Sequence, residues 1–74
     1  MRKNDFVEVL TTPYNGEIGQ IKDTVLYIKG YKASLNAFVS VKIFVAPEGL
    51  PELFYYHKRE LKRIPKHEAI VRLL

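Results

Sequence analysis

The chain of 74 residues contains neither cysteine nor tryptophan. Without cysteine there is no disulfide, no thiolate nucleophile and no thiolate-bound metal. Small secreted domains commonly depend on disulfides, so their absence favours a cytoplasmic location. No run approaches the roughly 18 apolar residues of a membrane helix, and the start MRKNDFVEVL lacks the apolar core of a signal peptide. We therefore predict a soluble cytoplasmic protein with no membrane partner.

The sequence also lacks recognisable catalytic arrangements. Its two histidines, His57 and His67, do not stand at a zinc-binding spacing. There is no nucleophile motif, and no glycine-rich loop leads into a helix to cradle a phosphate. We predict that the protein is not an enzyme, has no metal site and needs no cofactor.

Positive charge is concentrated in one segment of the chain. The apolar fraction of 47% and the charged fraction of 27% are typical of one small globular domain, and the formal net charge is +4. Five of the twelve lysines and arginines lie in HKRELKRIPK, where Glu60 alone opposes them. These five cations are Lys58, Arg59, Lys62, Arg63 and Lys66. An electrostatic partner is expected to meet this segment.

Short alternating or β-branched runs predict an antiparallel β protein. The runs are DFVEVL, EIGQIK, VLYIK, FVSVKIFV, LFYY and KRI. The strongest is Phe38–Val45, predicted to be a central strand with Val39, Val41, Ile43 and Val45 on one face. Strands that are short and joined by turns favour a small barrel that closes on itself.

The segments between the strands carry turn and helix signals. Pro13 and the Asn15-Gly16 pair predict a chain reversal, and Gly19 suits a bulge or a close backbone approach. Gly30 to Ala37 is predicted to be a loop. A helical or 3₁₀ turn is expected at HKREL, before the last strand. The tail KHEAIVRLL predicts a short helix that packs through Ile70, Leu73 and Leu74.

The stretch VEVLTTPYNGEIGQI resembles the KOW motif, whose usual form is V-x-V-x-x-G-P-F-x-G-x-x-G-x-V. This motif occurs in transcription factors of the NusG type and in some large-subunit ribosomal proteins. The matching positions are Val7, Val9, Pro13, Tyr14, Gly16, Gly19 and Ile21. Thr12 departs from the pattern, which often has glycine there.

The resemblance covers about residues 5 to 64 and implies a fold. The fold is an all-β, five-stranded, antiparallel SH3-like barrel of KOW type. We expect the barrel to occupy residues 1–65, with a tail or short helix at 66–74. Related barrels serve as RNA-binding, protein-binding and structural modules, so the motif predicts fold better than activity.

Two groups of residues are candidates for binding. The five cations of HKRELKRIPK form a basic patch that attracts phosphates, and the preceding Tyr55 and Tyr56 point to opposite sides of a strand. We assign Tyr56 and Tyr14 as ring platforms and Tyr31 with Lys32 as a second contact. The alternatives are that the cations form a solvated face and that the tyrosines belong to the core.

We predict a non-catalytic module that binds RNA, DNA or a nucleoprotein machine such as the ribosome or RNA polymerase. The alternative is a protein-interaction module or accessory subunit that docks through apolar residues, with the tail IVRLL included. That alternative extends to a small phage or mobile-element protein that acts on a host protein. The sequence leaves the choice between monomer and homodimer open.

Overall fold

The computed structural model describes the backbone of residues 1–25, 27–28, 31–32 and 38–74, and the side chains of residues 1–23 and 38–74. Seven strands and two helical segments are present in this part of the chain. The strands are β1 (Phe6–Val9), β2 (Ile18–Val25), β3 (Tyr27–Ile28), β4 (Tyr31–Lys32), β5 (Phe38–Ile43), β6 (Leu53–His57) and β7 (Leu61–Ile64). A 3₁₀ turn (Lys58–Glu60) precedes β7, and α1 (Lys66–Leu73) follows it.

Five of the strands form one antiparallel sheet in the order β6-β5-β2-β1-β7. The predictions of a mostly antiparallel β protein, of a 3₁₀ turn before the last strand and of a short C-terminal helix are confirmed. Strand β5 is paired on both sides, as expected for an internal strand, but the middle position belongs to β2. Closure of the sheet into a barrel stays a prediction.

The main core lies on one face of this sheet. Alternation in β1 turns Val7 and Val9 inward, and both are fully buried. The other members come from the remaining long strands and the first turn: Tyr14, Ile21, Val39, Val41, Ile43, Tyr56 and Leu61. The prediction that the strand extends to Val45, with Val45 on the face of Val39, Val41 and Ile43, is wrong. Strand β5 ends at Ile43, and Val45 is 61% exposed.

Gly19 permits the close contact between β2 and β5. A Cβ at this position would lie 2.5 Å from Cγ1 of Val41 and 2.8 Å from the carbonyl oxygen of Lys42. The close backbone approach predicted for Gly19 is thus confirmed. The register shift between the two strands lies elsewhere, between Ile21 and Asp23. That irregularity bends β2 after the glycine.

The turn between β1 and β2 reverses the chain at Gly16. The φ of Gly16 is +89°, which a residue with a Cβ rarely adopts. Its N–H donates to the carbonyl of Val9 over 2.7 Å, and the N–H of Val9 donates to the carbonyl of Glu17 over 3.0 Å. The reversal predicted from Asn15-Gly16 is confirmed, with only the glycine in the left-handed region.

Helix α1 covers a second, smaller apolar cluster. Ile18, Ile64 and Ala69 are buried there, and Phe6 and Leu73 pack against them. The guanidinium of Arg72 pairs with the carboxylate of Glu8 over 2.7 Å and ties the helix to β1.

The predicted packing face of this helix is right at Leu73 and wrong at two other positions. Ile70 is 46% exposed and Leu74 is 97% exposed. The small side chain of Ala69 lets the helix backbone approach the sheet, so the helix docks through Ala69 instead.

The predicted loop from Gly30 to Ala37 is wrong at its start. Tyr31–Lys32 forms β4, which pairs antiparallel with Tyr27–Ile28. Residues 33–37, and with them most of the predicted loop, lie outside the described residues.

Candidate binding surface

The 3₁₀ turn is closed by a reciprocal capping arrangement. The Nδ1 of His57 accepts a hydrogen bond from the N–H of Arg59 over 3.2 Å. The carboxylate of Glu60 accepts from the N–H of His57 over 2.8 Å. Such a capping box satisfies two backbone donors that the turn itself leaves unpaired. Its consequence is that Glu60 bends back toward β6 and engages the backbone.

The other carboxylates near the basic segment are also engaged. Asp5 lies 3.4 Å from Nε of Arg63 and accepts from the N–H of Arg2, while Glu8 binds Arg72. The remaining four cations of the segment have no carboxylate oxygen within 4.0 Å among the described residues. These four are Lys58, Arg59, Lys62 and Lys66.

Strand β7 presents its two cations on opposite faces. Leu61 and Ile64 are buried, one in each apolar cluster, and Lys62 and Arg63 between them are exposed. The Arg63 side chain is 70% exposed although it bonds to Asp5. We call the set Lys58, Arg59, Lys62, Arg63 and Lys66 the basic surface. The basic surface lies at an edge strand of the sheet, and because successive strand residues point to opposite faces its cations do not all share one face.

The predicted ring platforms Tyr14 and Tyr56 lie in the core. Tyr14 is 1% exposed and its hydroxyl donates to the carbonyl of Pro51. Tyr56 is 2% exposed, and its hydroxyl makes no hydrogen bond of normal geometry in the described part of the chain. Burial raises the pKa of the Tyr56 phenol, and the backbone of Tyr14, which interacts with the hydroxyl, opposes part of that rise. Neither ring can stack on a base without opening the core, so both are removed from the candidate surface.

Tyr55 is the exposed tyrosine of β6. The hairpin register pairs Tyr56 with the inward Val39 and Tyr55 with Ser40 on the opposite face. Tyr55 is 54% exposed as a result. Sequence reasoning established that the two rings point to opposite sides but assigned the wrong one to the surface.

The exposed face of the β5–β6 hairpin was missed at the sequence level. Leu53 is 47% exposed and pairs in register with Lys42, which is also exposed. The alternation of β5 shows which of its residues point outward, and directly opposite residues of antiparallel strands share a face. The register between β5 and β6 is needed to identify the outward residues of β6, and the sequence does not give that register.

Tyr31 and Lys32 are described through their backbone alone, as strand β4. They belong to the two-stranded β3–β4 sheet, while the basic surface belongs to the other sheet and the helix that follows it. Their assignment as a second contact stays a prediction.

The described residues contain no group of three or more histidine, aspartate or glutamate side chains that could hold a metal ion. Among them there is also no helix with the length and apolarity needed to cross a membrane. When the chain is compared with models of protein families, with curated proteins and with solved structures, nothing matches.

Proposed function

We propose that the protein is a non-catalytic module that binds the phosphate backbone of RNA or DNA through the basic surface. This proposal rests on one observation: the nearby carboxylates of Glu60 and Glu8 are bonded to groups outside the basic surface. Glu60 bonds to the backbone of β6, and Glu8 bonds to Arg72, so neither forms an ion pair with the lysines and arginines of the basic surface. Lysines and arginines that lack such internal partners release counterions when they meet phosphates, and this release favours binding.

The fold supports the same proposal in a general way. We propose that the five-stranded sheet curves as in an SH3-like barrel of KOW type, in which the 3₁₀ turn connects the last two strands and the outer edges of β6 and β7 stay unpaired. The basic surface then lies along the outer edge of the sheet, where Lys62 and Arg63 project from opposite faces of β7. Exposed cations along an edge strand can follow a nucleic-acid backbone, which is an extended chain of phosphates.

The test separates the position of the charges from their number. In one variant Arg59→Glu is combined with Lys62→Glu, and in the matched control Lys3→Glu is combined with Lys42→Glu. Each substitution changes the charge by −2, so both variants go from +4 to 0. All four side chains belong to exposed residues. Urea unfolding of both variants checks that the fold is retained.

The measurement is the fluorescence anisotropy of a labelled single-stranded RNA, and separately of a DNA duplex, at about 50 mM and about 200 mM salt. For the Arg59/Lys62 variant we expect a Kd for RNA at least about tenfold higher than that of the control variant. We also expect its salt dependence to flatten by about 1.4 in the logarithmic slope on RNA, from two lost phosphate contacts at about 0.7 each. Equal losses in the two variants would show that net charge alone matters and would contradict the proposed site.

A second candidate function, docking on another protein, is supported by the outer face of α1. Ile70 and Leu74 are exposed as described above, and Val71 between them is 66% exposed. Val71→Ser combined with Ile70→Ser leaves the docking residue Ala69 in place. If protein docking is the function, this variant loses a partner that the native chain retains in a pull-down, while its RNA affinity stays unchanged.

A further inference from the structure

Strand β6 has a free edge in the described part of the chain, where it pairs with β5 alone. The N–H of Ile43 donates to the carbonyl of Glu52 over 2.7 Å, which makes these two residues a hydrogen-bonded pair. Hydrogen-bonded and non-bonded pairs alternate in an antiparallel ladder. The N–H and C=O groups of Leu53 and Tyr55 therefore point away from β5. The N–H of His57 points the same way and is taken by Glu60.

The two edges of the sheet differ in how they are protected. Strand β7 carries Lys62 and Arg63, and Pro65 follows it, which are the devices that discourage pairing with another chain. Strand β6 reads LFYYH and contains no lysine, arginine, proline or glycine. Its outward side chains Leu53 and Tyr55 are about half exposed. The β6 edge is thus available for pairing in a way that the β7 edge is not.

We propose that two copies of the chain pair through β6, antiparallel, about a two-fold axis at Tyr55. In this register the two Tyr55 residues face each other, and Leu53 of each copy faces His57 of the other. Just beyond the last paired residues, where each chain leaves β6, Glu52 of one copy lies near Lys58 of the other. Each copy thus contributes one acidic and one basic residue at complementary places.

Charge complementarity selects a second copy over an unrelated strand. Glu52 and Lys58 form no ion pair within the described residues of their own chain, so both are available to a partner. The two-fold axis makes the contact twice, as a closed symmetric interface requires. It also places the exposed Tyr55 rings side by side, and aromatic cross-strand pairs stabilise a sheet.

Glu60 and the 3₁₀ turn limit the length of the shared ladder. At the centre, the two Tyr55 residues exchange N–H···O bonds, and each Leu53 N–H donates to the carbonyl of His57 opposite. Pairing stops there because the N–H of His57 is already bonded and the chain turns at Lys58. A short ladder forms a concentration-dependent dimer and leaves no free β6 edge for further growth.

The test is a charge exchange read by sedimentation equilibrium of the full chain without nucleic acid. Glu52→Lys and Lys58→Glu are made singly and together. Each single variant places like charges opposite each other at both symmetric contacts, and we expect the dimer to weaken about tenfold. The combined variant restores opposite charges and the original net charge. Its dimer should return close to the native affinity.

Matched controls carry the same charge changes at positions that do not face the second copy. Glu48→Lys corresponds to Glu52→Lys, and Lys62→Glu corresponds to Lys58→Glu; both control residues are exposed. We expect the controls to dimerise like the native chain. The proposal is overturned if the native chain is monomeric at all concentrations, or if the combined variant is no tighter than the single ones. Lys58 and Lys62 also belong to the basic surface, but the dimer is measured without nucleic acid, so a failure of this proposal is distinguishable from a failure of the RNA-binding proposal.

Discussion

Tyr14 and Tyr56 offer one chemical change with opposite expected effects. Both rings are buried in the main core, so replacing either by phenylalanine keeps the apolar packing and removes a single hydroxyl. The Tyr14 hydroxyl donates to the carbonyl of Pro51 and so connects the first turn to the start of β6. The Tyr56 hydroxyl has no such partner in the part of the chain that the structure describes.

The magnitudes follow from the different states of the two hydroxyls. Tyr14→Phe removes one hydrogen bond, which lowers the free energy of unfolding by about 1 kcal/mol. Tyr56→Phe removes a buried hydroxyl whose desolvation is not offset by any hydrogen bond of normal geometry in the described residues, so we expect the free energy of unfolding to rise by about 1 kcal/mol. The interaction of this hydroxyl with the backbone of Tyr14 makes that figure an upper value. The two variants should therefore differ by about 2 kcal/mol, in spite of having the same composition.

Urea unfolding at neutral pH measures this difference. With a slope near 1 kcal/mol/M, as is typical for a small domain, the two midpoints should lie about 2 M apart on either side of the native one. Equal slopes in all three proteins would show that the change is one of stability. Equal destabilisation by the two substitutions would refute the reasoning, because it would mean that the Tyr56 hydroxyl also makes a favourable bond.

Three further substitutions, and a change to alkaline pH, test the fold. Gly19→Ala should lower the free energy of unfolding by about 2 kcal/mol, because its Cβ meets the backbone oxygen of Lys42, and urea unfolding checks this. At Gly16 a Cβ meets open space but φ is positive, so Gly16→Ala should lower the free energy of unfolding by about 1 kcal/mol. A larger loss for Gly16→Ala than for Gly19→Ala would contradict the packing argument. Burial raises the pKa of Tyr56, so above about pH 10 the unfolded chain loses the Tyr56 proton while the folded chain still keeps it. The free energy of unfolding is therefore constant with respect to this group below about pH 10 and falls above it. In the Tyr56→Phe variant the free energy of unfolding should fall less at alkaline pH. If its pH dependence equals that of the native chain, other groups cause the fall. Ala69→Glu should detach α1, seen as faster amide exchange in the helix with the β5 amides still protected.

The sequence alone was sufficient for the local elements. Alternation in β1 and β5 identified strands because one face of each is buried, and that burial imposes a period of two on apolar residues. Gly16 and Gly19 are recognisable in the sequence because glycine adopts a positive φ without strain and lets another backbone approach its Cα closely. The 3₁₀ turn and the helix after Pro65 followed from the loss of alternation and from helix-forming residues.

Relations between distant residues were decided by the tertiary structure. Sequence patterning placed Tyr55 and Tyr56 on opposite faces, and the register against Val39 determined which one is buried. The helix docked through Ala69, because fit against the sheet outweighed the larger apolar area of Ile70.

The availability of the basic surface was determined in the same way. The sequence places Glu60 among the cations, and the folded chain decides that its carboxylate bonds to the N–H of His57 and forms no ion pair with them. Composition and periodicity describe each residue with its neighbours along the chain, and they determined the strands, the turns and the position of the positive charge. Which side chains are buried, paired or left free depends on contacts between strands far apart in sequence, and those contacts exist only after the sheet has formed.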